Sequence, residues 1–342
     1  MPTQRREAAG DVAFCVRMLP EVSRTFALSI EALPEELREA VRVAYLLCRI
    51  VDTVEDGCGI AASHRQVLFD AFDEAMAHDG LPPETFEELS REAMGEEVEP
   101  AERELCLDAG AVFRRFRSLP RAQREAIRPH VQEMSFGMRE YVMRAGDRGL
   151  QLSSMEDLEH YCYYVAGTVG NLLTGLFLLH VPGVAAETRS ELEARAVSFG
   201  LGLQMVNIVK DVAADHERGG HCYLPLAPSE LAPADLLSPA RRDAALSVVR
   251  AVCGRAREHL ERAREYTLLW PVPGGVEVRH FCAVPLALAL ATLDEVERSS
   301  ATLRPGATPK VSRETVARVL VEARQAVGSD EALRRLFAGV QG

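Results

Sequence analysis

The chain has 342 residues, 47% of them hydrophobic and 26% charged, which is ample material for a core and a composition that excludes a disordered polymer. A formal net charge of −12 argues against a nucleic-acid partner, because phosphate backbones are held by clustered Lys and Arg whose excess is missing here. Eight cysteines lie scattered through apolar stretches with no CxxC pair and no zinc-finger His spacing, and they read as reduced core thiols of a cytoplasmic protein.

Along the chain, Met1 to Val12 is charged and lacks the apolar centre of a signal peptide, so nothing in it directs export. From Glu35 onward, Leu37, Ala40, Val41, Ala44, Tyr45 and Cys48 recur at helical spacing, and the run ends in Asp52-Thr53-Val54-Glu55-Asp56. Asp52 and Asp56 share a helix face, with Arg49 and Tyr45 on the same stripe. Two like charges so placed call for a cation or a basic partner, and hard oxygen ligands suit Mg²⁺. A solvated acidic helix end or an ion-pair cluster with Arg49 is the plainer reading of the same residues. Glu84 to Glu104 is strongly acidic and reads as a solvated helix face or loop with no chemistry of its own.

Tyr161 taken alone is a core aromatic with its hydroxyl satisfied. The small residues after it, Val165-Ala166-Gly167 and Gly170, signal either close helix packing or space for a ligand chain. A second long helix runs through Leu192, Ala196, Phe199, Leu203, Val206 and Val209. On it Gln204, Asn207, Asp211 and Asp215 form one polar stripe, poor material for a buried face. If both stripes face one cavity, their oxygens hold Mg²⁺ that bridges to substrate phosphates, which explains how an acidic protein binds a diphosphate. The longest near-continuous apolar run, Phe281 to Leu293, is about thirteen residues, below the ~18 to 20 that span a bilayer. Gly80 to Pro83, Pro182-Gly183, Leu226 to Pro239, Pro271 to Gly275 and Arg304 to Pro309 read as loops. None is long or polar enough to be a linker, and alternating β-branched segments are nearly absent. The expectation is an all-α fold with residues 1–342 in a single domain.

Ser23-Arg24-Thr25-Phe26, Tyr45 through Asp56, Met134 to Tyr141, Tyr161 through Gly170, Asn207 through Asp215 and Phe281-Cys282-Ala283-Val284-Pro285 together resemble the squalene and phytoene synthase family. Phe281 to Leu293 is more similar to the squalene branch. The resemblance implies one large helical bundle of the class I isoprenoid synthase type, with the Asp stripes at the mouth of a central apolar cavity. It implies Mg²⁺-dependent head-to-head condensation of two farnesyl diphosphates to presqualene diphosphate, then reduction to squalene by NADPH. By position, Asp52, Glu55, Asp56, Asn207, Asp211 and Asp215 would hold Mg²⁺. Ser23, Arg24, Tyr45, Arg49, Gln204 and Lys210 would line the diphosphate or nucleotide site, with Lys310 and Arg313 in a nucleotide-contacting segment. Tyr161 would be the catalytic tyrosine, assisted by Tyr45 and Arg49. Phe26, Val165, Gly170 and Phe281 would shape the prenyl pocket.

Three positions depart from the family pattern. Lys210 replaces an Arg and keeps the charge without the bidentate fork. His221 replaces another Arg, for which Arg218 is a candidate substitute, and Asp211-Val212-Ala213-Ala214-Asp215 lacks an acidic residue before its last aspartate. These changes bear on NADPH use and the final product more than on the first condensation. Two other readings stand beside this one: a phytoene, dehydrosqualene or hydroxysqualene type of synthase that uses no NADPH, and a catalytically silent prenyl-lipid-binding scaffold. The apolar product implies transient contact with a membrane surface, without a fixed anchor.

Overall fold

A computed structural model describes residues 2–77, 82–146, 149–219, 222–299 and 302–340, without the side chains of residues 2–8, Arg24 and 218–219. Among the described residues there are fifteen α-helices, one π-helical turn and no strand beyond a single isolated bridge. The helical periodicity of the sequence is therefore realised throughout. The backbone packs as two compact units, residues 1–144 with 172–180, and residues 145–171 with 181–342.

The first unit contains α1 (Pro2–Val22), α2 (Arg24–Glu31), α3 (Glu35–Asp56), α4 (Ala62–Met76), α5 (Glu84–Ala93), α6 (Pro100–Leu107), α7 (Ala109–Ser118) and α8 (Arg121–Ala145). Helix α3 is its axis, because its apolar positions, from Leu37 and Val41 through Leu47 to Val51 and Val54, are buried against α1, α4, α6 and α7. Tyr45, Arg49, Asp52 and Asp56 are left on its partly open edge. A second anchor is the ring cluster of Phe72, Phe86 and Phe113, with centroids 5.5 to 6.1 Å apart. Each buried Phe contributes about 1.5–3 kcal/mol.

The second unit contains α9 (Met155–Cys162), the π-helical turn Tyr163–Gly167, α11 (Ala186–Gly219), α12 (Arg242–Leu269), α13 (Val276–Arg298), α14 (Arg313–Ala326) and α15 (Asp330–Gly339). Helix α10 (Thr168–His180) follows the π turn, and its residues 172–180 group with the first unit. Helices α11 and α12 pack along each other, with α13 on both. Buried Arg279 donates to the carbonyls of Trp270 (2.7 Å) and Leu268 (2.8 Å) and to Asp330 (2.7 Å), fixing the α12–α13 turn against α15. A guanidinium out of water is tolerated there because its donors meet oxygens.

Pro182-Gly183, Leu226–Pro239, Pro271–Gly275 and Arg304–Pro309 lie between helices as the sequence predicts, and Gly183 takes the left-handed φ of +74° that favours glycine. Gly80 and Leu81 lie outside the described residues. Seven of the cysteines are buried thiols, whereas Cys58 is exposed in the turn after α3. The apolar run at Phe281 is longer as a helix than as a sequence motif. Val276–Arg298 and the continuous stretch Met155–His180 are each long and apolar enough, by length and composition, to cross a membrane. The most apolar window of Val276–Arg298 is 67% buried inside the protein and that of Met155–His180 39%.

Candidate active site

In the first unit the site residues are set by α2 and α3. Ser23 caps α2, its hydroxyl accepting from the Phe26 amide at 3.2 Å, and this turn brings the Phe26 ring to 5.9 Å from Tyr45. One turn along α3, Arg49 donates to the Tyr45 hydroxyl at 3.1 Å and stacks its guanidinium 5.9 Å from that ring. The same guanidinium lies 3.7 Å from Asp52 and 3.6 Å from Glu102 of α6. The Asp52 carboxyl is pushed up to about 7, chiefly by burial, with Asp56 and Glu102 acting in the same direction and Arg49 opposing. Glu55 is half-buried and Asp56 exposed. Arg65 of α4 donates to the carbonyls of Val54 (3.1 Å), Gly57 (2.9 Å) and Ile60 (3.1 Å), which closes the C-terminal end of α3 just beyond the aspartates.

In the second unit α11 buries Met205, Val206, Ile208, Val209 and Val212 and leaves Gln204, Asn207, Asp211 and Asp215 half-buried or exposed along one edge. The Lys210 ammonium lies 3.0 Å from Asp211 and 3.5 Å from the Asn207 amide oxygen, so a cation already rests on this stripe. Glycines bring α11 against the π turn: a Cβ at Gly200 would meet the Ala166 carbonyl oxygen at 2.0 Å, and one at Gly170 the Ala196 carbonyl oxygen at 2.2 Å. The two contacts run antiparallel.

Tyr161 is 3% exposed, and its ring stacks on that of Tyr223 with centroids 5.1 Å apart. Its helix is held on another face by Glu159, which accepts from Arg255 at 2.6 Å and lies 3.0 Å from His259, both on α12. Val165 is half-buried within the π turn. Phe281 is buried in α13, while Lys310 and Arg313 are exposed near the start of α14. The side chains of Arg24 and Arg218, and all of His221, lie outside the described residues.

The model of the family described as squalene/phytoene synthase matches residues 19–315. The chain belongs to the squalene/phytoene synthase family. The squalene synthase of Candida albicans is 28% identical over 341 residues, covering 96% of this chain and 70% of that protein. The squalene synthase of Schizosaccharomyces pombe is 30% identical, covering 83% of this chain and 59% of that protein. Among solved structures, a ligand complex of TcSQS superposes with a TM-score of 0.80 at 26% identity, over 97% of this chain and 90% of the other. A dehydrosqualene synthase shares the fold at a TM-score of 0.65 and 21% identity, over 94% and 97%.

Within this family frame each stripe keeps its sequence-predicted neighbours: Tyr45, Arg49 and Asp52 touch in sequence along α3, and Asn207, Lys210 and Asp211 touch along α11. Among the described residues no three His, Cys, Asp or Glu side chains converge closely enough to hold a metal ion. The donor set of carboxylates with one amide still fits Mg²⁺, which keeps several waters and takes substrate phosphate oxygens rather than an all-protein cage. Two residues escaped the sequence reading. Glu102 lies in the acidic stretch read as chemically silent, and only its contact with Arg49 reveals it. Tyr223 lies two residues after His221, a departure in the family pattern, and nothing in local spacing pairs it with Tyr161.

Proposed function

We propose that this chain is a squalene synthase-type prenyltransferase that condenses two farnesyl diphosphates head to head and carries the presqualene diphosphate so formed on to squalene. The observation that supports the reading is the close packing, within one unit, of α11 against the turn that follows Tyr161, at Gly170 and Gly200. The squalene synthase relatives, aligned over nearly the whole chain, support the same activity.

Asp52, Glu55 and Asp56 on α3, and Asn207, Asp211 and Asp215 on α11, would hold Mg²⁺, and the ion would supply the positive charge that makes diphosphate a leaving group. Arg49 and Lys210 carry fixed positive charge beside these carboxylates and turn toward phosphate oxygens when substrate arrives. Gln204 and Ser23 add neutral polar contacts. Tyr161, buried away from water, shelters the allylic cation with its ring and moves a proton through its hydroxyl as the cyclopropane closes. Val165, Gly170, Phe26 and Phe281 bound the prenyl chains. Arg24, Arg49, Lys210, Lys310 and Arg313 would contact NADPH, which would supply the hydride for the final reduction. Residues 1–342 act together as one catalytic domain, cytoplasmic and in transient contact with a membrane surface that receives the apolar product.

The test is product analysis by mass spectrometry after incubation with farnesyl diphosphate, with and without Mg²⁺ and NADPH. Squalene formed only with both is the expected outcome. Presqualene diphosphate or an oxidised product in the presence of NADPH would assign the chain to a non-reducing branch, and no diphosphate release with Mg²⁺ would remove the enzymatic reading.

A further inference from the structure

Among the described residues, the one β-type pairing joins the chain entering α9 to the chain leaving α11. Cys222 donates from its amide to the Leu150 carbonyl at 2.9 Å, and Leu152 donates to the Cys222 carbonyl at 3.4 Å. Cys222, Leu150 and Leu152 are buried, so this short bridge sits out of water, where its hydrogen bonds hold best. Leu224 and Leu226 on the same segment are also buried. The residue the bridge delivers is Tyr223, half-buried, whose ring lies 28° from parallel over Tyr161 at 5.1 Å. The stripe on α11 ends at Asp215, so only a short stretch of chain separates the last aspartate from the ring stacked on the phenol.

We propose that Tyr223 is a positioning residue for Tyr161: its ring stacks on the phenol ring and fixes the plane in which that ring is held. The inference rests on the functional reading given above. An aromatic ring attracts a cation through its face, so the plane in which the ring is held sets where a cation is sheltered. Stacking also restrains the turn of the Tyr161 ring about its Cβ–Cγ bond, and that turn is what would change the direction in which its face is presented.

The experiment uses the full chain with farnesyl diphosphate and Mg²⁺. The rate kcat, KM, the partition between condensed product and hydrolysed farnesol, and the thermal midpoint are compared for wild type, Tyr223→Phe, Tyr223→Leu and Tyr223→Met. Tyr223→Phe keeps the stack and is expected to keep the wild-type rate and partition. The two aliphatic variants are expected to lower kcat about three- to ten-fold and to raise the farnesol fraction, with KM and thermal midpoint unchanged. Wild-type kcat and partition in both aliphatic variants would overturn the proposal. So would a loss that follows KM or the thermal midpoint, a Phe variant as poor as Leu, or loss of cooperative melting in both aliphatic variants, since each marks Tyr223 as packing only. A wild-type chain without Mg²⁺-dependent turnover would instead overturn the functional reading itself.

Discussion

The guanidinium of Arg49 lies 3.6 Å from the carboxylate of Glu102, on a helix that the sequence reading left without chemistry. Arg49 is thereby shared between Glu102 and Asp52 on its own helix. Half-exposed pairs of this length contribute about 0.2–1 kcal/mol each. Glu102→Gln is therefore expected to cost about two- to five-fold in kcat/KM for farnesyl diphosphate, with helical content retained. Steady-state kinetics at fixed Mg²⁺ checks this, and an unchanged kcat/KM would return Glu102 to the solvated surface.

Asp52 gives the chain a pH signature. Its carboxyl is raised by burial from 3.8 to about 7, so between these values the folded state holds a proton that the unfolded state has released. The contribution of this group to stability is thus present at low pH and is lost as pH rises toward 7. In metal-free buffer, the thermal midpoint of Asp52→Asn should gain on that of wild type from pH 5 to pH 8. Added Mg²⁺ should close the gap for wild type alone, and Mg²⁺ affinity should rise over the same range because the ion displaces the proton. Parallel midpoints at every pH would refute the assignment of Asp52 as the titrating group.

Gly200 tests whether backbone contact positions the α11 stripe. A Cβ there would lie 2.0 Å from one backbone atom of Ala166 and 2.4 Å from another, and neither can move as a flexible side chain would. Gly200→Ala is expected to destabilise the chain by about 1–3 kcal/mol, the usual cost of overpacking, and to lower kcat beyond that loss of folded protein. Gly254, with nothing near its added Cβ, is the control, and Gly254→Ala should be neutral or slightly stabilising. Denaturant melts alongside single-turnover rates separate the two effects.

Tyr161 carries the riskiest assignment. Tyr161→Phe keeps the ring stacked on Tyr223 and removes only the hydroxyl, so a proton-moving role predicts a loss of roughly 10² to 10⁴ in rate. Tyr161→Ala removes both roles and should be inactive. Near-wild-type rates in Phe with an inactive Ala would leave the ring as the active part, and wild-type rates in both would reduce Tyr161 to a core aromatic. Single-turnover assays with product identification make the distinction.

Much of this molecule is written in local spacing. The apolar recurrence from Leu37 to Cys48 and from Leu192 to Val209 dictates two helices, because residues three and four apart share a face. The same rule places Arg49 and Asp52, or Asn207 and Asp211, side by side before any coordinates exist. The glycines at 167 and 170 likewise signal either a close approach or space for a ligand chain.

What no local pattern states is which backbone they approach. The meeting of Gly200 with Ala166, the contact of Glu102 with Arg49 and the stack of Tyr223 on Tyr161 all join segments far apart in the chain. Such contacts depend on the register in which buried faces interlock. That register is fixed by the summed shape of many apolar side chains, a property of the packed core that the period of any single helix does not contain.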